Sequence, residues 1–248
     1  IFMPRESIPI TAGFIKQPWD NYGKMKNQGA EVTLNINKQF NKNLFVSLMG
    51  TLTYAHNEIT EKDEPAAVVG TNRAETGYPT GQNRGYIAER LFTNDDFADV
   101  AAGTLKEGIP AQTFTAKLRP GDIKYVDVNQ DGKIDAFDVS PIGGPINPEI
   151  VYGFGLNMKW KDLDFGVLFQ GIGRTWNVLS GNIIPASNKG TTYNIFTNYQ
   201  DRWTVDNPSQ DVFYPRLDYG TNANNSQSST WWLRNMSFLR MKNIELGY

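Results

Sequence analysis

The chain has 248 residues, with 24 Lys and Arg against 26 Asp and Glu, a formal net charge of −2. That balance offers no electrostatic attraction to nucleic acid, and the count of 0 cysteines excludes disulfides, thiolate metal sites and cysteine nucleophiles. Aromatic residues at 12%, 23 glycines and many asparagines favour strands and turns over helices.

No apolar run approaches the ~18 residues of a membrane-spanning helix. The mean hydropathy, −0.46, is polar, which is compatible with a membrane barrel whose strands alternate and whose long loops are hydrophilic. Ile1-Phe2-Met3-Pro4 lacks the basic and apolar regions of a signal peptide. The last residues, Ile244 to Tyr248, stop within a strand-like pattern, so both ends are expected to be cuts within a longer chain.

From Ala30 the apolar residues Ala30, Val32, Leu34 and Ile36 alternate with Glu31, Thr33, Asn35 and Asn37. Period two predicts a strand with one apolar face. After the polar break Asn41-Lys42-Asn43, the residues Leu44, Val46, Leu48, Leu52 and Tyr54 share a parity opposite Ser47, Thr51 and Thr53. This predicts a hairpin over 29–55. A second hairpin, 148–171, follows from Ile150, Tyr152, Phe154, Leu156, Met158 and Trp160, a break at Lys161-Asp162, then Leu163, Phe165, Val167 and Phe169. Each arm is near the ~9–11 residues a tilted strand needs to cross a bilayer.

Long segments, 56–147 and 172–235, separate these elements, and a further strand begins within 236–248. Structureless loops beyond ~12–15 residues are uncommon in compact domains, whereas outer-membrane barrels alternate short turns with long loops. The expected fold is therefore all-β, an antiparallel transmembrane barrel segment. Its wall would place Glu31, Thr33, Asn35, Asp164 and Gln170 toward the lumen and Tyr54, Tyr152, Trp160 and Phe169 near the interfaces. The last strand is ambiguous: Ile244, Leu246 and Tyr248 share a parity with Arg240 and Lys242, so either the basic pair sits at the aqueous end or the register breaks there.

One segment carries metal chemistry. In residues 127–138, oxygen side chains fall at loop positions 1, 3, 5, 9 and 12 as Asp127, Asn129, Asp131, Asp135 and Asp138. Gly132 stands at position 6, where the chain must turn, and Lys133 at position 7 can offer its carbonyl. This is the calcium-loop pattern of an EF-hand, here without flanking amphipathic helices and with a shorter Asp138 where Glu is usual. An Asx-rich turn without metal is the plainer alternative. Structural calcium, pinning a long surface loop, is the expected role.

Catalytic motifs are missing. There is no phosphate-cradling GxxxxGK[ST] loop and no His-Glu-x-x-His pair, and His56 is expected just past a strand end as an interfacial or loop residue. Glu61, Asp63, Glu64, Asp95, Asp96 and Asp99 read as a solvated loop rather than an acid pair. Trp203, Trp231 and Trp232 are expected to anchor packing or lie at an interface, ahead of stacking on sugars. An enzyme is not expected.

Several segments, taken in order, resemble the SusC/RagA family of TonB-linked outer-membrane transporters. They are Asn21-Tyr22-Gly23 through Glu31; Gly77-Tyr78-Pro79 with Gly85-Tyr86; and Pro120-Gly121-Asp122-Ile123-Lys124-Tyr125, which runs through the calcium-like loop to Pro141-Ile142-Gly143. Tyr152 to Asn157, Phe169-Gln170-Gly171, Arg202-Trp203-Thr204 with Asn207-Pro208, and Phe238 to Tyr248 complete the set. The resemblance implies a barrel of 22 strands with an internal plug, energised through TonB by a part preceding this one. It also implies contact with outer-membrane lipid, a capping SusD-like surface lipoprotein, and import of oligosaccharides or peptides. A soluble, calcium-stabilised β-rich carbohydrate-binding module is the alternative.

Overall fold

The computed structural model describes residues 2–115, 117–180, 196–218 and 222–248. The regular structure is almost wholly strand; helical segments among these residues are short 3-10 turns such as Asn94–Asp96 and Ala136–Asp138.

Five long strands form one antiparallel meander in chain order: β1 (Lys24–Asn41), β2 (Leu44–Glu61), β3 (Ile150–Trp160), β4 (Leu163–Gly173) and β5 (Phe238–Gly247). Every neighbour in the sheet is the next long strand in sequence, as in an up-and-down barrel wall. Two-residue turns, Lys42-Asn43 and Lys161-Asp162, close the hairpins on one side, and Lys161 takes a left-handed φ of 57° to do so. The Lys161 N–H donates to Asn43 O at 2.7 Å, tying one turn to the other.

The hairpins differ in reach from those expected. The first runs 24–61 rather than 29–55, and the second 150–173 rather than 148–171. β1 and β2 have 18 residues each, against 11 in β3 and β4, so they overshoot their neighbours on the side of the long connections. Polar residues at the overshooting end (Lys26 opposite Glu58, Asn27 opposite Asn57) hide the strand from a search for apolar alternation.

The two long connections are not loose loops: they pack on each other as one loop domain. Residues 181–195 and 219–221 of the expected second loop lie outside the described residues. Short two-stranded ladders order the rest, including Gln82–Gly85 with Ser140–Pro145, Ala88–Leu91 with Ile123–Tyr125, and Trp176–Val178 with Leu233–Asn235. The core is aromatic: Tyr86, Tyr125, Trp203, Tyr214 and Trp232 close around Leu91, Ile123 and Ile134.

Side-chain amides complete this domain. Ile123–Tyr125 has a strand partner on one edge only. Its other edge is met by Asn225 Oδ1, which accepts from Ile123 N at 2.9 Å; by Asn224 Nδ2, which donates to Ile123 O at 2.8 Å; and by Gln112 Oε1, which accepts from Tyr125 N at 2.6 Å. Buried backbone groups need such partners. Here Gln112 of the first connection and Asn224 and Asn225 of the second stand in for a missing strand.

Candidate functional site

The sheet is two-faced. Across β1 to β4 the paired rows Val32–Leu52–Tyr152–Gly171, Ile36–Leu48–Leu156–Val167 and Lys38–Val46–Met158–Phe165 share one face. Phe154 stacks on Phe169 within it, with ring centroids 5.1 Å apart. These side chains pack only on the sheet itself: Val32 is 57% exposed, Leu34 54%, Leu52 45% and Ile244 58%. The other face carries Glu31, Thr33, Asn35, Thr51, Asn157, Asp164 and Gln170, so the five residues expected toward the lumen share one side.

The ambiguity of β5 is decided by a bulge. Its register against β4 shifts between Leu168 and Phe169, which oppose Asn243 and Met241 and leave Lys242 as the extra residue. A bulge inverts parity along the strand. Ile244 and Leu246 oppose Val167 and Phe165 on the apolar face; beyond the bulge Met241 and Leu239 oppose Phe169 and Gly171 on that same face. Arg240, opposite Gln170, passes to the polar side. The register breaks, and the apolar face stays continuous.

Trp160 lies at the turn end of this face, 49% exposed, with Lys161 Nζ 5.5 Å from its ring. Tyr54, opposite Ile150, lies at the other end, under the Arg174 guanidinium at 5.9 Å. Tyr152 and Phe169 fall within the face rather than at its rims; Tyr152 reaches across Gly171, where an added Cβ would come 2.3 Å from its ring.

In the calcium-like loop the oxygen side chains turn onto the loop's own backbone. Asp127 accepts from Gln130 N at 2.7 Å and Gly132 N at 2.8 Å, Asn129 from Asp131 N at 3.1 Å, and Asp131 from Lys133 N at 2.9 Å. Asp135 caps the following 3-10 turn through Phe137 N, while buried Asp138 accepts from Val128 N at 2.8 Å and Asp135 N at 2.9 Å. Gly132 adopts a φ of +83°, the conformation position 6 requires. The donors are hard oxygens that suit calcium. Among the described residues, however, no three carboxylate or imidazole groups gather at one point; the arrangement is a run of Asx turns.

Two other expectations change. His56 lies inside β2, not past its end, and its Nδ1 meets Glu149 Oε1. Glu149 is 4% exposed and also meets Arg174 Nε at 2.9 Å, where the sheet joins the loop domain. The acidic segment is only partly solvated. Asp96 is buried in a two-pronged pair with Arg90 at 2.6 and 2.7 Å; burial would raise its pKa, but Arg90 and the Thr93 N–H outweigh that and hold it at about 2. Asp63 accepts from Arg5 Nε at 2.7 Å and Ser7 Oγ at 2.8 Å, fastening the first residues to the loop domain. Trp203 and Trp232 are core residues at 8% and 1% exposure.

No protein-family model matches the chain. A TonB-dependent receptor of Formosa agariphila is 28% identical over 248 residues, covering 98% of this chain and 24% of that protein. TonB-dependent receptor SusC of Bacteroides thetaiotaomicron is 23% identical over 97% of this chain and 22% of its own length. The solved structure of the RagAB peptide transporter superposes with a TM-score of 0.62 at 24% identity, over 98% of this chain and 24% of that one. At that identity the superposition shows the fold alone: an all-β chain that follows about a quarter of the RagAB transporter chain. Together the matches support the SusC/RagA-like character read from the motifs. The chain spans about a quarter of the length of these relatives, which are named as receptors and transporters rather than enzymes.

Proposed function

We propose that this chain supplies wall and outer loop domain to an outer-membrane TonB-dependent importer. The observation that carries the reading is the apolar face of the meander, kept continuous through the β5 bulge. A soluble sheet buries such a face against a second layer; here that side is exposed from Val32 to Leu246. Hydrocarbon on that side and an aqueous lumen on the other account for both faces. The turns Lys42-Asn43 and Lys161-Asp162 then face the periplasm, and the loop domain faces outside. The same face weighs against the soluble carbohydrate-binding module.

By likeness to SusC and to RagAB, the importer works with a SusD-like surface lipoprotein and takes up oligosaccharides or peptides, with TonB engaged elsewhere in the protein. Uptake of labelled oligosaccharide and peptide mixtures by cells making or lacking the full transporter tests the reading. Equal uptake of both by the two strains, or recovery of the full chain as a water-soluble monomer, overturns it.

The loop at 127–138 takes structural calcium in this proposal. Its support is the donor chemistry of Asp127, Asn129, Asp131, Asp135 and Asp138, with the Lys133 carbonyl, on a tightly wound loop. Calcium would stiffen the turn that carries Ala136–Asp138 into the ladder at Ser140. Titration of the metal-stripped full chain is expected to show binding in the ~10⁻⁴–10⁻³ M range of extracellular modules, lost in Asp131→Ala. No heat at millimolar calcium sinks the calcium assignment and leaves the Asx turns as the whole account of the loop.

A further inference from the structure

The loop domain contains a cavity of about 480 Å³, away from the calcium-like loop. It draws on segments far apart in sequence: Val100 and Ala101; Lys117, Arg119 and Pro120; Trp203 and Val205; and Arg216. Trp203 is a fixed plate. Its ring lies against the backbone of Gly121, where an added Cβ would come 2.3 Å from the ring, and its backbone N–H donates to Tyr214 O at 3.0 Å.

Among the described residues, three cations line this cavity and no carboxylate does. Arg216 is already neutralised, at 3.0 Å from buried Asp122 and 2.9 Å from Asp218. Lys117 and Arg119 are different. Both are exposed; the Lys117 stem lies over Gly103, where an added Cβ would be 2.9 Å from its Cγ, and the Arg119 backbone N–H is held by Asp122 at 2.9 Å. Two exposed cations thus border a cavity with apolar walls, among them Val100 at 42% exposure and Val205 at 82%.

We propose that this cavity binds the C-terminal residue of a peptide, its carboxylate between Lys117 and Arg119 and its aliphatic side chain against Val100, Val205 and the edge of Trp203. Charge and apolarity side by side suit a carboxylate on an aliphatic body. An acidic sugar fits less well. At 8% exposure Trp203 offers an edge rather than a stacking face, and Asn94 is the neutral polar side chain in the lining for hydroxyl groups. The site deepens the importer reading and rests on it only for the biological use of the bound peptide. Binding is measured without transport, so failure of one leaves the other standing.

The test is calorimetry on the full transporter chain in detergent, with N-acetyl-Ala-Leu, its C-terminal amide and digalacturonate as probes. The acid is expected to bind. The amide and the double variant Lys117→Gln/Arg119→Gln are each expected to weaken binding roughly tenfold or more, the loss of charge-assisted hydrogen bonds. Val205→Asp, at an exposed position that leaves folding intact, is expected to abolish binding of the acid. The proposal is overturned if acid and amide bind equally, if the acid fails to bind, or if digalacturonate binds as tightly as the peptide. Unchanged affinity in the variants, which would place the peptide elsewhere on the transporter, overturns it as well.

Discussion

The wall and the loop domain use the same residue types in opposite ways. In the loop domain aromatic side chains close on one another, with Trp232 and Tyr125 at 1% exposure, and buried polar groups such as Asp122, Asn224 and Asn225 are hydrogen-bonded. In the wall, Val32, Leu34, Ile36 and Phe154 stand 44–57% exposed and the polar residues gather on the opposite side. One region turns its apolar side chains inward, away from water; the other leaves them facing outward, toward hydrocarbon in the proposed function. The boundary is marked where His56, Glu149 and Arg174 meet, at the level where β3 and β4 end and β1 and β2 continue.

The largest expected effect lies on the aqueous side of this contrast. Asp122, 0% exposed, accepts from Arg119 N, Arg216 Nε and Nη2, Asn222 Nδ2 and Asn225 Nδ2, and so holds the two long connections together. Asp122→Ala leaves the part-buried Arg216 guanidinium with Asp218 alone and strips several buried donors of their acceptor, a cost of about 3 kcal/mol. Limited proteolysis of the full chain is expected to cut the loop domain of this variant while sparing the wall. Equal protection of the two proteins would mean that the network is not what joins the connections.

Next comes a paired test of the wall. Leu48→Arg places a charge near the middle of the apolar face, between Ile36 and Leu156, and is expected to cost about 2–4 kcal/mol in a bilayer. Thr51→Arg, on the polar face opposite Gly153, is expected to cost far less. Folding into lipid vesicles, followed by heat-modifiable gel mobility, measures both; equal losses would remove the distinction between the faces.

Gly171→Ala is expected to be smaller, about 1–3 kcal/mol of overpacking, because a Cβ there would lie 2.3 Å from the Tyr152 ring and 2.6 Å from Phe238 O. Tyr152→Ala in the same chain should relieve the part of that clash made by the ring, read as partial recovery of the unfolding midpoint. The smallest effect is on acidification. The Asp96 carboxyl is held at about 2 in the folded chain, below its ordinary 3.8. Its contribution is therefore complete above pH 3.8 and fades as pH falls through about 2. The stability gap between the parent chain and Asp96→Asn should narrow over that window; a gap constant from pH 5 to 2 would show that the Arg90 pair contributes through shape rather than charge.

Local chemistry made part of this molecule readable. Alternation from Ala30 and from Ile150 with breaks at Lys42-Asn43 and Lys161-Asp162 was enough for two hairpins, because a short turn sets the register of its own strands. The overshoot of β1 and β2 was not readable, since its residues are mostly polar and the pair Met25 and Ile59 is too little to show alternation. The calcium-like spacing was visible because its residues are contiguous, but where their oxygens point depends on the turn they form. The cavity was not visible: its cations at 117 and 119 look like any solvated pair until Trp203 and Val205 arrive from the other connection.

The amino-acid sequence by itself determined the strand-rich character, the wall hairpins and their apolar face, because these depend on neighbours one to four residues away and on the period of the side chains. Tertiary structure alone decided the parity of β5, the packing of two long connections into one domain, and the charge-lined cavity. A bulge takes its meaning from the partner strand. The amides of Asn224 and Asn225 replace a strand only for a segment some hundred residues earlier, and a buried Asp122 is stable only when donors from both connections converge on it.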